Sequence, residues 1–83
     1  MSSTASQNEI FELVREVLQK EFEFGADELT LETHLIDDLD LDSIDAIDLA
    51  VRLEERTGVS FEEEELKAIR TIRDVVDLID GRR

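Results

Sequence analysis

Cysteine and proline are both absent from the 83-residue chain. Without cysteine there is no disulfide, no thiolate nucleophile and no zinc–thiolate site. That absence leaves the compartment open. Histidine occurs once, as His34, and nothing beside it completes a metal site or a catalytic pair, so it reads as a loop residue. No stretch approaches the roughly 20 apolar residues that cross a bilayer. Residues Met1 to Ser6 have no basic region and no apolar run, so they do not read as a secretory signal. The expectation is a soluble, cytoplasmic protein. Basic residues are also scarce, at 9 against 23 acidic, for a formal net charge of −14. Such a surface repels nucleic-acid phosphate and anionic membranes alike. It suits partners with Lys and Arg patches, met quickly and in a salt-dependent way. The plainer alternative is that the acidity only confers solubility.

What is present is enough for a fold. Hydrophobic residues make up 41% of the chain, which sets it apart from disordered sequences. Its length suits one domain with a modest core, a size that rarely encloses a deep substrate cavity. Met1 to Ser6 are expected to form a flexible N-terminus, with residues 7–83 as a single domain. From Gln7, the residues Ile10, Leu13, Val14, Val17, Leu18 and Phe22 follow the three-and-four spacing of one helical face. Ser6 is the expected N-cap, and the helix should end near Phe22, before Gly25. A long connection, Glu23 to Leu41, follows. A connection of that length needs anchors, and Phe24, Leu29, Leu31, Leu35, Ile36 and Leu39 supply them. A helical turn fits Asp27 to Leu29.

The second helix should begin with Asp42 as its cap and Asp45 completing a weak capping box, leaving Ser43 as the first helical residue. Gly58 should stop it after Thr57. With a step of about 100° per residue and Ile44 at zero, Leu49, Leu53, Ala46 and Ala50 form a core face between about 140° and 240°. Ile44, Ile47 and Val51 lie nearly opposite, edged by Asp48, Glu54 and Glu55. An exposed apolar strip on such a helix suits docking. The alternative is a contact with another helix of the domain or with the long loop. Ser60 is expected to cap a short helix through the Glu62 to Glu65 run. Thr71, paired with Asp74, should cap a last helix carrying Ile72, Val75, Val76 and Ile79. Gly81 should end it, with Arg82 and Arg83 near its negative end. The fold class is therefore all-α: a four-helix bundle with three main helices, one short third helix and a long loop between helices 1 and 2.

The acidic cluster around Ser43 admits three chemistries. An EF-hand register starting at Asp38 fails, because Ser43 stands where glycine is needed and Leu49 where glutamate is needed. Only loose divalent-ion binding survives, and no metal site is assigned. Catalysis lacks a base, since no histidine or lysine stands beside Ser43. Covalent attachment at Ser43 would put a phosphate ester at a helix N-terminus. From the residues alone, that option and a plain cap remain open together.

At Asp42-Ser43-Ile44 the chain resembles the acyl carrier proteins. Their hallmark is Asp-Ser-Leu, with Asp-Ser-Ile as a variant, at the start of the second of four helices after a long loop. Here Asp38-Leu39 precede it, and Asp45, Ile47, Asp48 and Leu49 follow. The resemblance runs from about Gln7 to Gly81. It implies that Ser43 carries 4′-phosphopantetheine, donated from coenzyme A by a phosphopantetheinyl transferase. The arm's thiol would hold acyl groups as thioesters, with no catalytic residue in the chain itself. It also implies a monomer whose second helix meets acyl-transfer and condensing enzymes through their basic docking patches. Asp42, Ile44, Asp45, Ile47, Asp48, Val51, Glu54 and Glu55 would make those contacts. Leu53, Ile69 and Val76 would line an expandable core. The chain departs from the family pattern at Asp40-Leu41, where many fatty-acid carriers have Gly-Ala, and at Arg52 and Asp48. Those departures leave room for a polyketide-like pathway. The absence of Leu-Gly-Gly before the serine argues against a peptidyl carrier. From another class, the alternative is an unmodified acidic adaptor that docks a basic partner through helix 2.

Overall fold

The computed structural model describes residues 3–82, with side chains described from residue 7 onward. Helix α1 runs Ser3–Phe22, α2 Ser43–Thr57, α3 Glu63–Ala68 and α4 Ile72–Arg82. A single 3-10 turn, Ala26–Glu28, interrupts the long loop. The expected flexible start covers Met1 and Ser2, which lie outside the described residues, and Ser3 to Ser6, whose backbone is helical. Because α1 already starts at Ser3, Ser6 lies within the helix and is not its N-cap, which corrects that expectation; its side chain lies outside the described residues.

The core follows the apolar periodicity. Ile10, Val14, Val17 and Leu18 of α1 are buried with Leu49 and Leu53 of α2 and Ile72, Val75, Val76 and Ile79 of α4. Helix α1 packs against both α4 and α2, more extensively against α4. Leu29, Leu35, Leu39 and Leu41 from the long loop complete the cluster. Ile36, expected among the anchors, is instead 44% exposed. The loop there makes a tight turn in which the Asp38 and Leu39 N–H groups both donate to the His34 carbonyl. With Leu35 and Leu39 turned inward, Ile36 is left at the surface.

Backbone bonds hold the loop to the start of α4. The Leu35 N–H donates to the Arg70 carbonyl (2.8 Å), the Ile72 N–H to the Thr33 carbonyl (3.1 Å) and the Arg73 N–H to the Leu31 carbonyl (2.9 Å). Thr33 is the one buried polar residue of the described core. Its hydroxyl donates to the Glu28 carbonyl (2.8 Å) and accepts from the Thr30 N–H (2.8 Å). Both backbone groups are thereby satisfied away from water. Outside this seam, Arg73 reaches Glu32 at 2.5 Å, and the guanidinium holds that carboxyl below its usual range.

The helix ends divide between expected and unexpected. Thr71 and Asp74 form the anticipated box at α4. The Asp74 N–H donates to Thr71 Oγ1 (3.3 Å), and the Thr71 N–H donates to Asp74 Oδ2 (3.1 Å). Gly58 closes α2 with φ 77°, a left-handed conformation that glycine adopts without steric cost. Two further expectations are corrected. Glu62, not Ser60, precedes α3, and its N–H is satisfied by Glu65 Oε1 (2.8 Å), while the Ser60 hydroxyl turns to Glu54 Oε2 (3.3 Å). Helix α4 continues through Gly81 to Arg82, because nothing at Gly81 requires a left-handed turn. Arg82 stands in the last turn of α4, as expected. It reaches back to Glu65 and to the Ser60 carbonyl (2.8 Å), tying α4 to α3. Arg83 lies outside the described residues.

Candidate functional site

Asp42 caps α2 as its sequence demands. The Asp45 N–H donates to Asp42 Oδ1 (2.9 Å), and the Asp42 N–H donates to Asp45 Oδ2 (3.3 Å). This reciprocal pair satisfies two orphan groups and places both carboxylates at the positive end of the helix. Ser43 is then the first helical residue and is exposed. The carboxylates of Asp42 and Asp45 are committed to the cap, and Ser43 stands exposed beside them.

The backbone entering this turn is strained at one point. Asp40 has φ 59°, in the left-handed region. Most side chains disfavour that region, and aspartate is one of the few that tolerate it. The residue that departs from the family's common glycine therefore keeps the conformation a glycine would favour. The Asp40 N–H donates to the Ile36 carbonyl (2.9 Å), and the Leu41 N–H to the Leu35 carbonyl (3.2 Å). Together they deliver the chain to Asp42.

Helix α2 has the two faces that its stepping angle requires. Leu49, Ala50 and Leu53 are buried. Ile44 is 75% exposed, Ile47 47% and Val51 49%. Ile44 and Val51 do not line the apolar space between α2, α3 and the loop, whereas Ile47 stands at its edge. Glu54 and Glu55 are exposed beside the strip. Asp48 differs from them, since Arg52 Nε lies 3.4 Å from its Oδ1. The same guanidinium reaches Glu21 of α1 at 2.9 Å. Arg52 is therefore turned sideways into a carboxylate pair and away from the strip.

A cavity of about 510 Å³ opens between α2, α3 and the long loop, with Ser43 on its lip. Its wall includes Leu35, Ile36 and Leu41 from the loop, Ala46, Leu49, Ala50 and Leu53 from α2, and Phe61, Leu66 and Ile69 around α3. A chain of this size was expected to enclose little space. The space is larger than that because α3 is only six residues long and covers α2 incompletely. Leu53 and Ile69 line the cavity as expected, but Val76 does not, and Val75 takes its place. A step of about 100° puts these two valines on opposite edges of the stripe defined by Ile72 and Ile79. The loop leucines and Phe61 were missed, because loop residues carry no periodicity to show which way they turn.

His34 has a structural part. Its Nδ1 accepts from the Asp37 N–H (3.1 Å), and its own N–H donates to Asp38 Oδ2 (2.7 Å). It forms an isolated bridge with Thr71. Among the described residues, no three His, Cys, Asp or Glu side chains come together as metal ligands. No helix among the described residues is long and apolar enough to cross a membrane.

The fold and site define a small helical module that presents a serine at a helix start, between an outward apolar strip and an inward apolar cavity. Residues 12–79 match the family model for the phosphopantetheine attachment site. The chain is 43% identical to acyl carrier protein 2 of Ralstonia nicotianae, covering 92% of this chain and 94% of that one. It is 38% identical to the acyl carrier protein of Coprothermobacter proteolyticus, covering 90% and 92%. The fold superposes on the solved acyl carrier protein of Enterococcus faecalis with a TM-score of 0.78 and 27% identity, over 93% of this chain and 98% of that one. The chain belongs to the acyl carrier protein family.

Proposed function

We propose that Ser43 is the attachment point of 4′-phosphopantetheine and that the chain carries acyl groups as thioesters between biosynthetic enzymes. The observation that carries this reading is the position of Ser43, exposed at the start of α2 and on the lip of an apolar cavity. The residues fit the group. The serine oxygen is accessible for a phosphate ester, and the helix start favours its negative charge. When bound, the arm supplies the thiol that this cysteine-free chain lacks. The chain's own residues hold, shelter and present. Asp42 and Asp45 keep the helix start rigid beneath Ser43. Leu49, Ala50 and Leu53 offer an apolar wall that excludes water from a cargo chain. Tethering raises the local concentration of cargo at each partner's active site.

The partners we infer are a phosphopantetheinyl transferase and acyl-transfer or condensing enzymes with basic patches, working with a monomer in the cytoplasm. Ile44, Ile47 and Val51 would form the apolar centre of the contact. Asp42, Asp45, Asp48, Glu54 and Glu55 would form its acidic rim, a division typical of interfaces. Support comes from the exposure of the three apolar residues and from the net charge of −14. Because Arg52 engages Asp48, we expect that residue to contribute least of the five acids.

Intact mass after incubation with coenzyme A and a broad-specificity transferase tests the proposal. One phosphopantetheinyl increment on the parent chain, and none on Ser43→Ala, is expected. No gain on the parent would overturn it in favour of an unmodified acidic adaptor, and an equal gain on Ser43→Ala would overturn Ser43 as the attachment point.

A further inference from the structure

Cations are rare on this surface, and those of the described residues are nearly all engaged. Arg15, Lys20, Arg52, Arg56, Arg73 and Arg82 each form an ion pair with a carboxylate. Lys67 and Arg70 form none among the described residues. Glu63 lies one helical turn before Lys67, at a spacing suited to pairing, yet no pair closes. Arg70 adds to the positive field around Asp74 without closing a pair with it. Both cations line the cavity beside Ser43, and both are exposed, which puts them at its rim. They belong to α3 and the segment after it, on a different wall from the α2 residues that carry the serine. Asp42 and Glu63 are the carboxylates on the same lining.

In a chain of net charge −14, Lys67 and Arg70 stand out as cations with which no local acid among the described residues closes an ion pair. An apolar chamber with a few charged groups at its mouth orients an amphiphilic ligand, burying the chain and pinning the polar end. We propose that Lys67 and Arg70 are specificity-determining residues for the tethered cargo, and that the preferred cargo is an acyl group bearing a carboxylate. The acyl chain lies against Leu53 and Leu66, and its carboxylate meets the two cations at the rim by charge-assisted hydrogen bonds. The phosphodiester of the arm is the other available anion. It is fixed to Ser43 at the α2 start, whereas a cargo group at the far end of the arm can reach the α3 wall. This inference rests on attachment at Ser43.

The test compares glutaryl and pentanoyl thioesters, loaded from the corresponding acyl-coenzyme A onto the parent chain and onto Lys67→Gln/Arg70→Gln. Two readouts are taken at low salt: backbone amide shifts, and the rate of thioester cleavage by hydroxylamine relative to the same acyl group on free pantetheine. In the parent, the glutaryl form should be protected about threefold more than the pentanoyl form, the scale of an exposed ion pair. The Lys67 and Arg70 amides should shift in the glutaryl form only. The double variant should lose that difference and keep the protection of the pentanoyl form. A charge-matched control, Lys20→Gln/Arg73→Gln, should retain it. Equal protection of both cargoes, or equal loss of the difference in the control, would overturn the inference. So would holo-protein without cargo shifting the two amides as far as the glutaryl form does, since the anion would then be the phosphodiester. Failure to load at Ser43 would instead count against the attachment itself.

Discussion

The α1–α4 side of the molecule and the α2–α3 side are built from similar residues but put them to different uses. Val14, Val17 and Leu18 of α1 and Ile72, Val76 and Ile79 of α4 are fully buried where the two helices pack. On the other side, six-residue α3 leaves a cavity over α2, and α2 turns Ile44, Ile47 and Val51 to solvent. Stability is concentrated where apolar side chains are fully enclosed, because dispersion and desolvation both scale with contact. The incompletely covered half retains space and accessible apolar surface, as a site that must admit a chain and meet several partners requires. The difference teaches that α3's shortness, not any special residue, opens the site.

Truncation should break the comparison most sharply. Ile72→Ala should cost about 2–5 kcal/mol of unfolding free energy, as a fully enclosed side chain leaves a void. Leu66→Ala, on the cavity wall, should cost well under half of that, because its surroundings are already open. Denaturant titration of both variants checks the contrast, and equal losses would remove it. Next in size is the seam between loop and α4. Thr33→Val keeps the shape but strands the Glu28 carbonyl and the Thr30 N–H, at about 1–3 kcal/mol. A loss below that range would mean that water replaces the hydroxyl.

Smaller effects lie in the backbone. Gly58→Ala meets no atom within 4 Å, so its whole effect is the positive φ, about 1 kcal/mol of destabilisation. Asp40→Gly should act in the opposite sense at the folded state, relieving φ 59° while gaining disorder in the unfolded chain. The net change is expected within about 0.5 kcal/mol, read as a shift in denaturant midpoint. The smallest effect is electrostatic. The Thr71 N–H bond holds Asp74 below the usual aspartate range. A depressed folded-state pKa stabilises above the unfolded value, about 3.9, and that stability is lost as pH falls through the folded value. Asp74→Asn should therefore lower the melting temperature slightly at pH 7, with the gap closing as pH drops below about 4. A gap unchanged with pH would assign the effect to packing.

Much of this was legible in the residues. Asp42, Asp45 and Gly58 delimit α2 by capping chemistry, and the apolar spacing separates Leu49 and Leu53 from Ile44, Ile47 and Val51 before any coordinates are known. The loop was less legible. Its position depends on backbone bonds from Leu35, Ile72 and Arg73, and peptide groups carry no residue-specific signature. Ile36 looked like an anchor because apolar character does not reveal direction outside regular periodicity. A threonine pair three residues apart, Thr30 and Thr33, was the available sign of a local side-chain-to-backbone motif. Lys67 and Arg70 drew no notice in sequence, since their significance lies in the partners they lack.

The outward face of α2 is the central claim, and phosphopantetheinyl transfer to Ile44→Ala/Val51→Ala measures it directly. Both side chains are largely outside the core, so the melting temperature should stay within the range of ordinary surface changes. The transferase kcat/KM should fall about tenfold, the effect of losing a central apolar contact. An unchanged kcat/KM at an unchanged melting temperature would contradict the assignment of this strip as the docking surface.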